Sequence, residues 1–210
     1  SRNGELQWSQ QLAHMEARTI VVDRKRRLAG ASPSFSDGIL VCPTSAGAVV
    51  AVDISSRSLL WGFQYPHIGS LSRSQLAQRR TTGNTSRQSG WIDATVTISG
   101  DSVLVTPVEG DQLICLDLIN GTPRWGPLKR GNGLYIACVQ DRVAVLVNED
   151  SVTGISLADG EPAWAKPLEL DGEMPSGRGF FSAGHYYLPT TGSRLLMIDV
   201  ASGTLSEAIP

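Results

Sequence analysis

"CLDLINGTPRW", Cys115 to Trp125, is one of four near-copies of an eleven-residue phrase, and its reading decides the fold. The others are "AVDISSRSLLW" (51–61), "GISLADGEPAW" (154–164) and "MIDVASGTLSE" (197–207), and a fifth begins partway through as "SRNGELQW" (1–8). Each full copy opens on a small or apolar residue. The third position is Asp53, Asp117 or Asp199 in three copies, and the seventh is Gly121, Gly160 or Gly203, with Arg57 as the exception. Position eleven is Trp61, Trp125 and Trp164, with Trp8 closing the partial copy and Glu207 ending the last. Successive copies start 64, 39 and 43 residues apart, so the underlying period is near 40 with insertions. A period of this size marks a solenoid, a propeller or an array.

Local pattern decides among these. Upstream of each phrase lie two short runs rich in β-branched residues, such as "ATVTISG" then "SVLVTPV", or "LYIACVQ" then "RVAVLVNE", parted by turn residues. No window carries the 3.6-residue apolar period of a helix. The unit is therefore four antiparallel strands, with the phrase supplying the third strand, a tight turn and the start of the fourth. Glycine at position seven provides a positive φ for that turn, and the Asp accepts bonds from its free amides. The Trp then projects at a fixed offset to fill the gap between neighbouring sheets. Four-stranded units that each need a neighbour to cover a face make a β-propeller, so the expected fold is all-β, a propeller segment of four-stranded antiparallel blades.

These residues resemble the tryptophan-docking motif, Ala-x-Asp-x-x-Thr-Gly-x-x-x-Trp, of the quinoprotein alcohol dehydrogenase-like propellers, also called pyrroloquinoline-quinone-like repeats. The resemblance runs along essentially the whole chain. The stretches "GWIDATVTISGDSVLVTPVEGDQLICLDLINGTPRW" and "PSGRGFF" are also similar to repeat propellers of planctomycete-type bacteria. The resemblance implies a parent of seven or eight blades and an extracytoplasmic, periplasmic location in the bacterial envelope.

Composition narrows the function. The chain has 210 residues, 41% hydrophobic and 18% charged, with a formal net charge of -2, which lacks the basic footprint of a nucleic-acid binder. Apolar runs such as "GILVC" and "VAVLV" fall far short of the roughly 20 residues that span a bilayer. The chain starts at "SRNGELQW" without a basic-then-apolar leader. Cys42, Cys115 and Cys138 sit in apolar alternating runs with no CxxC neighbour and read as small buried hydrophobes. His14, His67 and His185 are isolated, so no metal site is expected.

The chain reads as a single propeller segment, 1–210, with an orphan outer strand at 4–13 and blades at about 33–65, 93–128, 134–168 and 177–210. Because strands alternate in direction, turns between first and second strands and the turns of the phrase share one face. Links from second to third strand and from blade to blade share the other, which holds the insertions at 14–32, 66–92 and 169–176. The longest carries Arg73, Arg79, Arg80 and Arg87 and no acidic residue, and Trp91 stands at its end. Its polar composition suits a solvated loop, and its place suits a partner-binding arm. "RKRR" at 24–27 reads as a solvated charge run. Lys129, Arg130 and Arg178 enter first strands from the same face, where they either point to the channel mouth or bond loop carbonyls. The candidate partner-binding face is thus Arg79, Arg80, Trp91, Lys129, Arg130 and Arg178.

Two functions follow from the resemblance. One is a non-catalytic platform that binds protein or peptide, as in the outer-membrane assembly lipoproteins with these repeats. The other is a fragment of a pyrroloquinoline-quinone-dependent dehydrogenase, whose catalytic members hold calcium and typically place adjacent cysteines over the quinone. This sequence has no Cys-Cys pair, and the turns use Asp53, Asp117 and Asp199, so no catalytic, cofactor or metal residue is assigned. Open blade ends make self-association an expectation, and Glu207 in place of Trp makes the last blade an expected weak edge.

Overall fold

A computed structural model describes residues 3–14, 32–44, 46–65, 93, 95–108 and 110–209. It contains four antiparallel sheets of four strands, each in sequence order. The first blade is β1 (Ser34–Ser36), β2 (Ile39–Pro43), β3 (Ala48–Asp53) and β4 (Ser58–Gln64). The second is β5 (Thr97–Ser99), β6 (Ser102–Val105), β7 (Gln112–Asp117) and β8 (Pro123–Lys129). The third is β9 (Gly133–Gln140), β10 (Val143–Asn148), β11 (Ser151–Ser156) and β12 (Leu168–Glu169). The fourth is β13 (Phe180–Ser182), β14 (His185–Pro189), β15 (Leu195–Asp199) and β16 (Thr204–Ile209). The first strands β1, β5, β9 and β13 touch in series, which places them inside and β4, β8, β12 and β16 on the rim.

Turn chemistry explains the hairpins. Asp37–Gly38, Asp141–Arg142 and Ala183–Gly184 all hold positive φ at both positions, the backbone of a two-residue type I′ turn, and Gly100 supplies positive φ in the second blade. In the repeated phrase Gly121, Gly160 and Gly203 lie at φ 70, 81 and 65, and Arg57 takes the same conformation at φ 56. Asp53 Oδ1 accepts from the amides of Ser55 and Ser56, Asp117 Oδ1 from Ile119 and Asn120, and Asp199 Oδ1 from Ser202. The third copy has Ser156 there, whose Oγ accepts from the Ala158 amide at 3.2 Å.

Tryptophan joins one blade to the next. Trp61 Nε1 donates to the Leu118 carbonyl at 2.9 Å, Trp125 to Leu157 at 3.2 Å and Trp164 to Val200 at 3.0 Å. Each indole also lies on the turn glycine of the following blade. A Cβ on Gly121 would meet Trp61 at 2.5 Å, one on Gly160 Trp125 at 3.0 Å, and one on Gly203 Trp164 at 2.4 Å. Between the sheets run three apolar layers, such as Val49, Ala51 and Trp61 against Val103, Ile114 and Leu116.

Three local features differ from the simple repeat. Trp61 and Trp125 follow β-bulges that pair them with Ala51 and Cys115. Trp164 stands in a bend between an isolated Ile155–Pro162 bridge and the two-residue β12, because Pro162 and Pro167 interrupt the ladder. In the fourth blade the ladder runs unbroken from Asp199–Thr204 to Leu196–Glu207, so the bulge is absent where the Trp is absent. Residues 4–13, expected as an outer strand, are not a strand, and Trp8 is half-buried. At the matching turn position the first blade carries Arg57, in the same backbone conformation, where the other three have glycine. Cys115 is buried while Cys42 and Cys138 are half-buried, and all three are free thiols. Burial pushes Cys115 up to about 11 and Cys138 up to about 12.

Candidate protein-binding face

The loops joining second to third strands and blade to blade converge on one face, and side chains from three blades meet there. Asp93, just ahead of β5, accepts from the Thr95 amide at 2.8 Å through Oδ1, while its Oδ2 takes Nη1 of Arg178 from the fourth blade. Arg178 also donates through Nη2 to the Ile136 carbonyl on β9 and lies over the Tyr135 ring, 5.1 Å from its centroid. Beneath it, Tyr135 Oη donates to the Gly177 carbonyl at 3.1 Å and stands 3.1 Å from Tyr186 Oη, which accepts from the Gly179 amide at 2.9 Å. Burial raises both phenol pKa values, so the pair remains protonated. The entries to the second and fourth blades and the inner strand of the third are therefore tied together.

The expected face residues divide. Arg178 lies in that cluster with a third of its side chain exposed. Arg130 does not project there: it is buried, and its Nη1 donates to the carbonyls of Thr106 and Pro107 at 3.2 and 3.0 Å, holding a loop of the second blade. Lys129 is exposed at the end of β8 on the outer rim, opposite Gln112. Arg79, Arg80 and Trp91 lie outside the described residues.

The contacts that hold the rest of this face escaped the sequence, which placed 169–176 here only as an insertion. The insertion 169–176 folds onto the fourth blade, where Pro175 bridges Thr190, the Thr191 amide donates to the Met174 carbonyl, and Arg194 Nε donates to Glu173 Oε1 at 2.7 Å. Asp93 stands two residues after Trp91, and Tyr135 inside an apolar run, so neither offered a pattern to single it out. On the opposite face Arg124 Nη2 lies 2.6 Å from Asp101 and 2.7 Å from Asp117, clamping the two turns of the second blade.

Among the described residues no three His, Cys, Asp or Glu side chains gather as a metal site would require. Cys42, Cys115 and Cys138 lie in three different blades, on β2, β7 and β9, so they cannot form a cysteine pair over a quinone. No described helix is long and apolar enough to cross a membrane, which leaves membrane β-barrels unaddressed.

Serial docking of a rim tryptophan onto the turn of the next blade defines a pyrroloquinoline-quinone-like repeat propeller. Residues 69–209 match the family described as outer membrane protein assembly factor BamB, and the chain belongs to that family. BamB from Moraxella catarrhalis superposes with a TM-score of 0.57 at 16% identity, over 87% of this chain and 49% of that one. A europium-containing methanol dehydrogenase gives 0.62 at 12% identity, covering 94% of this chain and 44% of that one. Quinohemoprotein alcohol dehydrogenase from Comamonas testosteroni gives 0.55 at 15% identity, covering 85% and 34%. At these identities the likeness is one of fold, and the chain spans about half the length of BamB. No curated protein matches the chain in sequence.

Proposed function

We propose that this chain is a non-catalytic propeller scaffold that binds protein or peptide partners, as part of a larger bacterial envelope protein in the periplasm or another extracytoplasmic space. The observation that carries the reading is the Asp93–Arg178–Tyr135 cluster, which ties the entries of the second and fourth blades and the inner strand of the third into one rigid rim beside the loop-bearing face. Rigid surfaces bind with little ordering cost, and loops held on such a scaffold are where recognition concentrates. Membership of a family named for outer membrane protein assembly supports a protein partner.

The test is site-specific photo-crosslinking in the parent bacterium. A photoreactive residue at Thr191, on the loop-bearing face, is expected to give discrete protein adducts, and one at Asp141, on the tight-turn face, none. Adducts from Asp141 alone, or from neither site, overturn the reading. Titration with pyrroloquinoline quinone and calcium addresses the dehydrogenase alternative, and tight calcium-dependent binding would overturn the non-catalytic assignment.

A further inference from the structure

The rim strands that carry a docked tryptophan are not guarded alike. Around Trp125, β8 places Pro123 and Arg124 before the indole and Pro127 and Lys129 after it. Around Trp164, the chain has Pro162 before and Lys166 and Pro167 after, and the strand shrinks to the two residues of β12. Prolines and charges at these places are the devices that keep an exposed strand edge from pairing with another chain. Position for position, β4 has Leu59 and Leu60 before Trp61 and Phe63 after it, and Tyr65 follows its end. This strand is seven residues long, without proline and without charge.

Among the described residues its edge is open: β4 ends the order of its sheet and pairs with β3 alone. Leu59 and Leu60 are 55% and 42% exposed, and no atom lies within 4 Å of where a Cβ on Gly62 would stand. The docking of Trp61 on Gly121 also brings the turn bearing Ile119, 63% exposed, beside this strand. Past the bulge at Leu60, residues 61–64 pair regularly with β3, which leaves a straight stretch of ladder free on the other side.

We infer that the β4 edge is an interface for a second copy of this chain, joined by antiparallel pairing of β4 with β4 about a twofold axis. Charge selects this occupant. A charged strand laid on β4 would surrender hydration with no counter-charge to meet it, whereas β4 is itself neutral and free of proline. A twofold axis normal to the sheet keeps side chains on their own face only when centred on a residue. Centred on Gly62, it sets the two glycines opposite each other, where close approach is free, and Trp61 opposite Phe63 of the second copy, an aromatic cross-strand pair. The outward face of the first blade is less suited to a second copy. Val50 and Val52, which point away from the second blade, are only 6% and 1% exposed, so that face is already covered.

Light scattering behind a sizing column, across a hundredfold dilution, tests the pairing. The native chain is expected to move from the 22.5 kDa monomer towards twice that mass as concentration rises. Leu60→Arg, and Leu59→Pro with Leu60→Arg, transplant the guard of β8 and should hold the mass at the monomer. The exposed Leu60→Arg change alone keeps the test valid should the double variant unfold, and the tryptophan emission of each variant reports folding. Leu205→Arg, on the exposed part of β16, should dimerise as the native chain does. A native mass fixed at the monomer overturns the interface, as does dimerisation of folded Leu60→Arg at the native concentration, or its loss in Leu205→Arg.

Discussion

At the scale of single residues the molecule depends on one repeated contact, a tryptophan seated where a glycine has no side chain. Trp61 and Trp164 are 8% and 6% exposed, whereas Trp125 is only half-buried. Truncating a buried large aromatic costs about 3–5 kcal/mol, so Trp61→Ala and Trp164→Ala should lose about that in urea unfolding and Trp125→Ala clearly less. Glycine variants separate docking from backbone strain. Gly38 and Gly121 both hold positive φ, but only at Gly121 would a Cβ strike an indole. Gly38→Ala should cost about 1 kcal/mol from the backbone alone, and Gly121→Ala substantially more. Equal losses would detach the docking contact from stability.

The turn aspartates add a dependence on acid. The Ser55 side chain, then the amides of Ser56 and Ser55, hold Asp53 below the ordinary carboxylate range, and the Ser202 amide and hydroxyl do the same for Asp199. Burial works to raise Asp117, but the amides of Asn120 and Ile119 and the Arg124 guanidinium outweigh it and the net shift is downward. A folded-state pKa depressed below the unfolded one contributes stability above the unfolded value, and that stability is lost as pH falls through the folded value. Stability should therefore hold at neutral pH and decline as pH drops below about 4. The variant with Asp53, Asp117 and Asp199 all changed to Asn should show a flatter acid limb by urea titration; an unchanged limb would assign the acid sensitivity elsewhere.

At the scale of elements, the sequence disclosed the repeat because its signals are local. Position three needs an acceptor, position seven a positive φ and position eleven a flat ring, and each requirement leaves a residue type at a fixed offset. Whatever depends on neighbours across the fold left no such trace. The bulge before Trp61 and Trp125 and the unbulged ladder to Glu207 are decided by pairing partners, whereas the break of β12 follows from Pro162 and Pro167 themselves. Arg130 and Arg178 looked alike as cations entering first strands, yet one is buried on loop carbonyls and the other reaches Asp93 in another blade. The strap at 169–176 is likewise a tertiary feature, held by Glu173 and Arg194 across 21 residues of sequence. Arg194→Ala should leave the blades folded and speed proteolytic cleavage at 170–176. Cleavage at the native rate would show that the Pro175–Thr190 bridge holds the strap unaided.

At the scale of the whole molecule, the question is what makes a row of blades behave as one body. Tryptophan docks link only nearest neighbours, and a chain of such links transmits stability step by step, as in other repeat proteins. The Asp93–Arg178 pair is different in kind, because it joins the second blade to the fourth across the third, with Ile136 and Tyr135 of the third blade as the middle contacts. Asp93 is well covered, its side chain 13% exposed, while Arg178 is about one-third exposed, which screens part of the attraction. A double-mutant cycle on Asp93→Ala and Arg178→Ala should therefore give a coupling of about 1 kcal/mol, above the median for a surface pair because of the covered carboxylate. The second consequence concerns cooperativity. Without the pair, the fourth blade keeps its contacts to the third, the Trp164 dock, the apolar layer and the Tyr135 bonds, but loses its direct tie to the second, so hydrogen exchange in β13 to β15 of Arg178→Ala should uncouple from that of β6 and β7. Exchange that stays matched across the two blades, together with additive single losses, would leave nearest-neighbour docking as the sole source of rigidity.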